Sequence, residues 1–119
     1  MDEKRKYPRI NKRLKFEVKN HDDFLVIAET INLSASGAYC MVNKPISLMT
    51  SLRIVLPLIY GNKKSEVEYA ECEGVVVRVE EVSREACLYN IAIFFNEIDE
   101  SERQKIIDYI KIFQDSGKI

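Results

Sequence analysis

Glu29 to Tyr39 reads ETINLSASGAY, and the fold turns on how its centre, Asn32-Leu33-Ser34-Ala35-Ser36-Gly37, is understood. Asparagine and serine side chains hydrogen-bond to nearby backbone and tolerate tight bends, and glycine accepts close backbone approach or a positive φ without steric cost. The six residues therefore predict a turn between two strands. Both flanks agree with this. FLVIAETINL (24–33) leads in with aliphatic and β-branched residues, and AYCMV (38–42) leads out.

Working outward, the same β pattern continues. Leu14, Phe16 and Val18 alternate with charged residues, and the polar run Asn20-His21-Asp22-Asp23 predicts a hairpin loop. His21 is read as a solvated loop residue, since nothing near it forms a catalytic triad. Asn43-Lys44-Pro45 breaks the chain, and Leu52 to Leu56 predicts a strand ended by Pro57. After the polar Gly61-Asn62-Lys63-Lys64, a long strand runs from Glu66 to Val79, with Gly74 predicting a bulge or bend. Ser83-Arg84-Glu85 turns the chain into a last strand, CLYNIAIFF (87–95). Strands at this spacing with short polar connections indicate an antiparallel barrel or sandwich.

The C-terminal end changes period. Asp99 is placed as an N-cap with Glu102 at the capping-box position, and Ile106, Ile107, Ile110 and Phe113 recur at helical spacing up to a stop at Gly117. That apolar face is expected to pack on the domain's own core. The organisation expected is one domain over residues 1–119: a basic arm (1–13), a β body (14–98) and a helix (99–116).

The 119 residues suffice for one modest core, and 46% hydrophobic with 31% charged residues is a globular balance. No apolar run approaches the roughly 18 residues that span a bilayer, and the charged N-terminus lacks a signal sequence, so a cytoplasmic protein without membrane insertion is expected. Cys40, Cys72 and Cys87 are odd in number and far apart, which argues against a disulfide framework or a zinc site and for small buried hydrophobes.

The formal charge of −1 is unevenly spread. Residues 1–20 hold eight basic residues and three acids, a net of +5, so the rest carries −6. A basic arm on an acidic body points to an anionic partner met locally. Pro8 disfavours helix through the arm and biases Tyr7 to extended backbone. Arg5 and Arg9 then lie up to ~13 Å apart at Cα, a reach suited to gripping two points on one ligand.

Arm and turn together resemble the PilZ domain family. KRKYPRI matches its basic RxxxR segment with Arg5 and Arg9, and NLSASG matches its (D/N)xSxxG turn with Asn32, Ser34 and Gly37. GVVVRV (74–79), YNIAIFF (89–95) and the closing helix look like the family's later elements. The resemblance implies a six-stranded antiparallel β-barrel with a C-terminal helix and a flexible basic arm, binding the bacterial second messenger cyclic di-GMP. The ligand's phosphates and guanine O6 and N7 suit arginine's planar fork. Asn32, where many relatives have Asp, and Ser34 would address guanine N–H groups. Lys4 matches a position often basic in relatives, and Arg78 is a further candidate, read also as an outward strand charge.

The resemblance thus implies a receptor that relays cyclic di-GMP by arm ordering to a partner protein of motility, secretion or polysaccharide machinery. No metal, other cofactor or DNA is expected, and no paired nucleophile and base suggests an enzyme. Two alternatives stand beside it: a PilZ-like adaptor that ignores the nucleotide, and a nucleic-acid-binding barrel. Asn32-Leu33-Ser34 also fits an N-glycosylation acceptor, which lacks meaning without secretion.

Overall fold

The chain runs through β1 (Lys15–Lys19), β2 (Leu25–Ser34), β3 (Gly37–Val42), β4 (Ser51–Ile59), β5 (Val67–Ser83), β6 (Leu88–Glu97) and α1 (Glu100–Ser116). The structure, a computed structural model, describes residues 7–20, 25–60 and 67–116. His21 and Gly117 therefore lie outside the described residues. The strands pair antiparallel in the order β1-β2-β3-β6-β5-β4, and β4 returns to β1 to close a barrel. Alternation drives the closure. Phe16 and Val18 of β1, and Leu52, Ile54, Leu56 and Leu58 of β4, are buried, while the residues between them face outward.

Pro57 does not end β4, which continues to Ile59. β1 pairs with β4 only across Arg53 to Val55, so beyond that point β4 is hydrogen-bonded on its β5 side alone. A residue without an N–H is tolerated at such an edge. β5 also outruns its expected end at Val79, reaching Ser83. The bend expected at Gly74 is present as a slip in the β5–β6 register between Glu73 and Val75. A Cβ on Gly74 would come within 2.5 Å of Ile93 Cγ2 and 2.9 Å of Ile54 Cδ1, so the barrel interior leaves it no room.

α1 packs against β5 and β2. Ile106, Tyr109 and Ile110 are its fully buried residues, whereas Ile107 and Phe113 are half-buried at the margin. Tyr109 was absent from the helical stripe expected from sequence. Its ring meets Tyr60 edge-on at 5.5 Å and Phe113 at 4.7 Å, and burial pushes its phenol up to about 12.

The Asp99 carbonyl accepts from the Glu102 and Arg103 N–H groups at 3.0 and 2.9 Å and so starts the helix. The Glu102 carboxylate reaches sideways rather than back along the helix. It accepts from the Glu71 N–H of β5 at 2.8 Å and pairs with Lys105 at 2.9 Å, and Lys105 Nζ also donates to the Tyr69 carbonyl at 3.0 Å. The Glu71 N–H, with Lys105 second, holds Glu102 below the ordinary carboxylate value of 4.5. A depressed carboxylate contributes stability that is present above its unfolded pKa and lost as pH falls through its folded one. Glu102→Gln is therefore expected to lower the melting temperature at pH 7, with the gap to wild type closing as pH drops below about 4. A gap independent of pH in melts across that range would contradict this.

Cys40 and Cys72 are buried, as expected, and burial pushes both thiols up to about 12. Cys87 departs from the expectation. It is half-buried in the β5–β6 turn, with φ at 55° and its N–H donating to the Arg84 carbonyl at 3.2 Å.

Candidate ligand-binding site

The expected turn at 32–37 is shorter than its motif. Asn32 and Ser34 belong to β2 and Gly37 opens β3, leaving only Ala35 and Ser36 at the bend. Val26, Ala28 and Thr30 face the core, and strict alternation would send Asn32 inward after them. The β2–β3 register instead shifts between Thr30 and Asn32. This bulge leaves Ile31 and Asn32 both outward, and Leu33 resumes the core face. β5 repeats the device. Its register shifts between Val76 and Arg78, so Val77 and Arg78 are both exposed.

The two bulges bring polar groups onto one line of the outer wall. Asn32 pairs with Tyr39, Tyr39 with Ala92, and Ala92 with Arg78, across four adjacent strands. At the usual strand spacing that row spans roughly 14 Å. An open pocket of about 460 Å³ lies along it, lined by Arg9, Asn32, Ser36, Gly37, Ala38, Tyr39, Val77, Arg78, Ala92, Ile93 and Phe94.

Arg9 enters from the arm. Its Nη1 donates to Asn32 Oδ1 at 3.1 Å, joining groups 23 residues apart in sequence. Arg5 and Lys4 lie outside the described residues. From Tyr7 onward the arm is docked rather than free, which corrects the expectation of a flexible segment through residue 13. Ile10 exchanges two backbone hydrogen bonds with Leu33, at 3.0 and 2.9 Å. The buried Thr30 hydroxyl accepts from the Leu14 N–H at 2.8 Å and donates to the Lys12 carbonyl. Lys12 sits over the Phe113 ring at 4.5 Å, Arg13 pairs with Glu29 at 3.1 Å, and Arg103 of α1 donates to the Tyr7 hydroxyl at 3.0 Å. The positive charges of Lys12 and Arg13 are thus met by aromatic and carboxylate partners, and Tyr7 and Ile10 supply apolar anchors.

Ser34 is 1% exposed and does not line the pocket. Its hydroxyl is spent inside the turn, accepting from the Ser36 N–H at 3.2 Å and lying 3.1 Å from Ser36 Oγ. The expectation that Ser34 reaches outward is therefore corrected: it shapes the bend, and Ser36 is the serine at the pocket. Gly37 pairs with Phe94 of β6, and a Cβ there would collide with the Ile93 carbonyl oxygen. Close approach of β3 to β6, not a positive φ, requires glycine at 37. The Ser36 carbonyl completes this join by accepting from the Phe95 N–H at 2.9 Å.

Tyr39 and Phe94 were missed by sequence reasoning. Tyr39 shares the outer face with Gly37 two residues earlier, and that parity was the available signal. At the far end, the Tyr39 hydroxyl donates to Glu80, and Arg78 Nη2 lies 3.0 Å from the same carboxylate. The Tyr39 hydroxyl, with Arg78 behind it, holds Glu80 below the ordinary carboxylate range, and Glu80 in return raises the Tyr39 phenol. Among the described residues, no group of three or more His, Cys, Asp or Glu is placed to hold a metal ion. Nor is any described helix long and apolar enough to cross a membrane.

The result is a closed barrel with a helix packed on β5 and β2, and with Arg9 of the arm hydrogen-bonded to Asn32 beside an open pocket on the outer wall. The chain belongs to the PilZ domain family, matching it over residues 3–111. The family comprises ligand-binding receptor and adaptor domains. Among solved structures, the chain is similar to the Bacillus subtilis inhibitor of motility, MotI/DgrA, with a TM-score of 0.79 and 20% identity. That alignment covers 97% of this chain and 53% of the other, so this chain spans about half of that protein. It is also similar to the PilZ domain of YcgR from Escherichia coli, solved with c-di-GMP (TM-score 0.65, 12% identity, 98% and 100% of the two chains). A third is the PilZ domain of CeSA from a cellulose-synthesizing bacterium, at TM-score 0.57 and 20% identity, covering 91% and 98%. At these identities the likeness shows the fold. No curated protein matches the sequence.

Proposed function

We propose that this chain is a cytoplasmic receptor for cyclic di-GMP, bound between Arg9 of the arm and the outer wall marked by Asn32 and Gly37, with Arg5 and Lys4 completing the basic grip. The observation that carries this is the Arg9–Asn32 hydrogen bond, which brings the arm and turn motifs together on one open pocket. The arginine fork addresses phosphate or the O6/N7 edge of guanine, and the Asn32 amide addresses the polar edge of the base. Ser34 contributes by holding the turn in shape. The YcgR domain's own c-di-GMP supports the ligand class.

Tyr7 lies between Arg5 and Arg9 in sequence and is tied to α1 through Arg103, by the hydrogen bond and by the guanidinium 5.5 Å from the ring centre. A ligand that draws in both arginines would shift Tyr7 against the helix. The partner protein is taken to read this seam, an apolar cleft lined by Tyr7, Pro8, Ala35, Ile107 and Ile110. A neighbour named as an inhibitor of motility makes motility machinery one candidate class of partner. Competition titration tests the ligand reading. Cyclic di-GMP is expected to bind far more tightly than cyclic di-AMP, which lacks the O6 acceptor, and equal affinities would reject guanine recognition.

A further inference from the structure

The pocket takes an anion if cyclic di-GMP is its ligand, yet a carboxylate stands beside one of its cations. Glu80 does not line the pocket. It pairs directly with Asn90 in the β5–β6 ladder and accepts from both Arg78 and Tyr39, two residues that do line it. Arg78 and Glu80 are two apart on one strand, and their side chains are 65% and 42% exposed. Pairs this exposed are weak and screened, so Arg78 can exchange its partner at little cost. A ligand held at Arg9 extends along the row of Asn32, Tyr39 and Ala92 to Arg78, and its phosphates present a competing acceptor there.

We propose that Glu80 sets the affinity of the pocket by competing with the ligand's anionic groups for Arg78. This rests on the cyclic di-GMP reading and adds a residue to it. In the free protein Glu80 pairs with Arg78 and accepts from the Tyr39 hydroxyl through its other oxygen. In the bound protein Arg78 turns to the ligand, while Glu80 keeps the Tyr39 hydroxyl and loses its cation partner. Removing the Glu80 charge strengthens binding, and does so only while Arg78 is present.

The test is a double-mutant cycle by calorimetric titration with cyclic di-GMP, using Glu80→Gln, Arg78→Met and the pair. Glutamine keeps the size and one acceptor oxygen but not the charge. The expected result is that Glu80→Gln tightens binding roughly two- to fivefold, the scale of one exposed charge contact, and steepens its loss with salt. Arg78→Met is expected to weaken binding, and Glu80→Gln to change nothing in that background. Weaker or unchanged binding by Glu80→Gln, with wild type binding normally, overturns this inference and leaves the receptor reading intact. Equal tightening with and without Arg78 also overturns it, by showing a general field effect. A wild-type protein that binds no cyclic di-GMP removes both readings.

Discussion

Ile106→Ala is expected to destabilise the protein by about 2–5 kcal/mol, lowering the melting temperature on the order of 10–20 °C. Ile106 is 0% exposed and lies with Tyr109 and Ile110 on the face by which α1 meets the barrel. The rest of α1 is largely charged and polar, so this face is what holds it in place. Truncation removes the transfer free energy of the lost atoms and leaves a cavity against strands whose ladders resist collapse. Ile107→Ala, half-buried at the arm cleft, is expected to cost less, and Ile112→Ala, 47% exposed, about 0.5 kcal/mol or below. Urea denaturation of the three variants checks the order. A cost for Ile112→Ala equal to that for Ile106→Ala would mean that α1 packs through a different face.

Arg9→Ala is expected to do the reverse, weakening cyclic di-GMP binding by about 1.5–3 kcal/mol, or roughly 10- to 150-fold, with stability barely changed. Arg9 is exposed, and its hydrogen bond to the Asn32 amide lies at the surface. The arm is anchored elsewhere, by Tyr7, by the Ile10–Leu33 pair and by Thr30. Arg9→Lys is expected to recover only part of the loss, because an ammonium keeps the charge without the fork. Arg13→Ala serves as a control: Arg13 pairs with Glu29 and does not line the pocket, so binding should change little. Titrations paired with thermal melts decide this. A melt that collapses for Arg9→Ala would make the arm contact structural rather than ligand-directed.

Much of the barrel was legible because alternation is a local property. Phe16 and Val18, Leu52 to Leu56, and the run around Ile91 and Ile93 each declare one buried face, and all six strands could be placed from such runs. Pro57 misled because its tolerance depends on where β1 stops pairing with β4, a long-range fact. Tyr109 escaped the helical stripe because a hydroxyl disguised a ring that the core buries completely.

The candidate site was legible as motifs but not as geometry. Arg9 and Asn32 were named from the RxxxR and NxSxxG patterns, and the structure sets them 3.1 Å apart. Which way Asn32 faces is decided by the bulge at Ile31, and Arg78 by the bulge at Val77; neither shift carries a residue signature strong enough to read in advance. Ser34 misled because alternation after Leu33 would turn it outward, whereas its hydroxyl is held inside the turn by the Ser36 N–H. The arm looked free because it is charged, whereas its anchors, Ile10 on Leu33 and Lys12 on Phe113, become visible only when barrel and helix are assembled.

If cyclic di-GMP binds on the outer wall between the arm and β5, amide-resolved NMR titration of the intact chain reveals it without any mutation. On adding cyclic di-GMP, saturable shifts are expected at Arg9, Asn32, Ser36, Gly37, Tyr39, Arg78 and Phe94. Nothing beyond small propagated changes is expected at Arg53, Glu71 and Glu73, which line a separate acidic hollow near the start of α1. An unchanged spectrum, or shifts centred on that acidic hollow, would contradict binding at the outer wall.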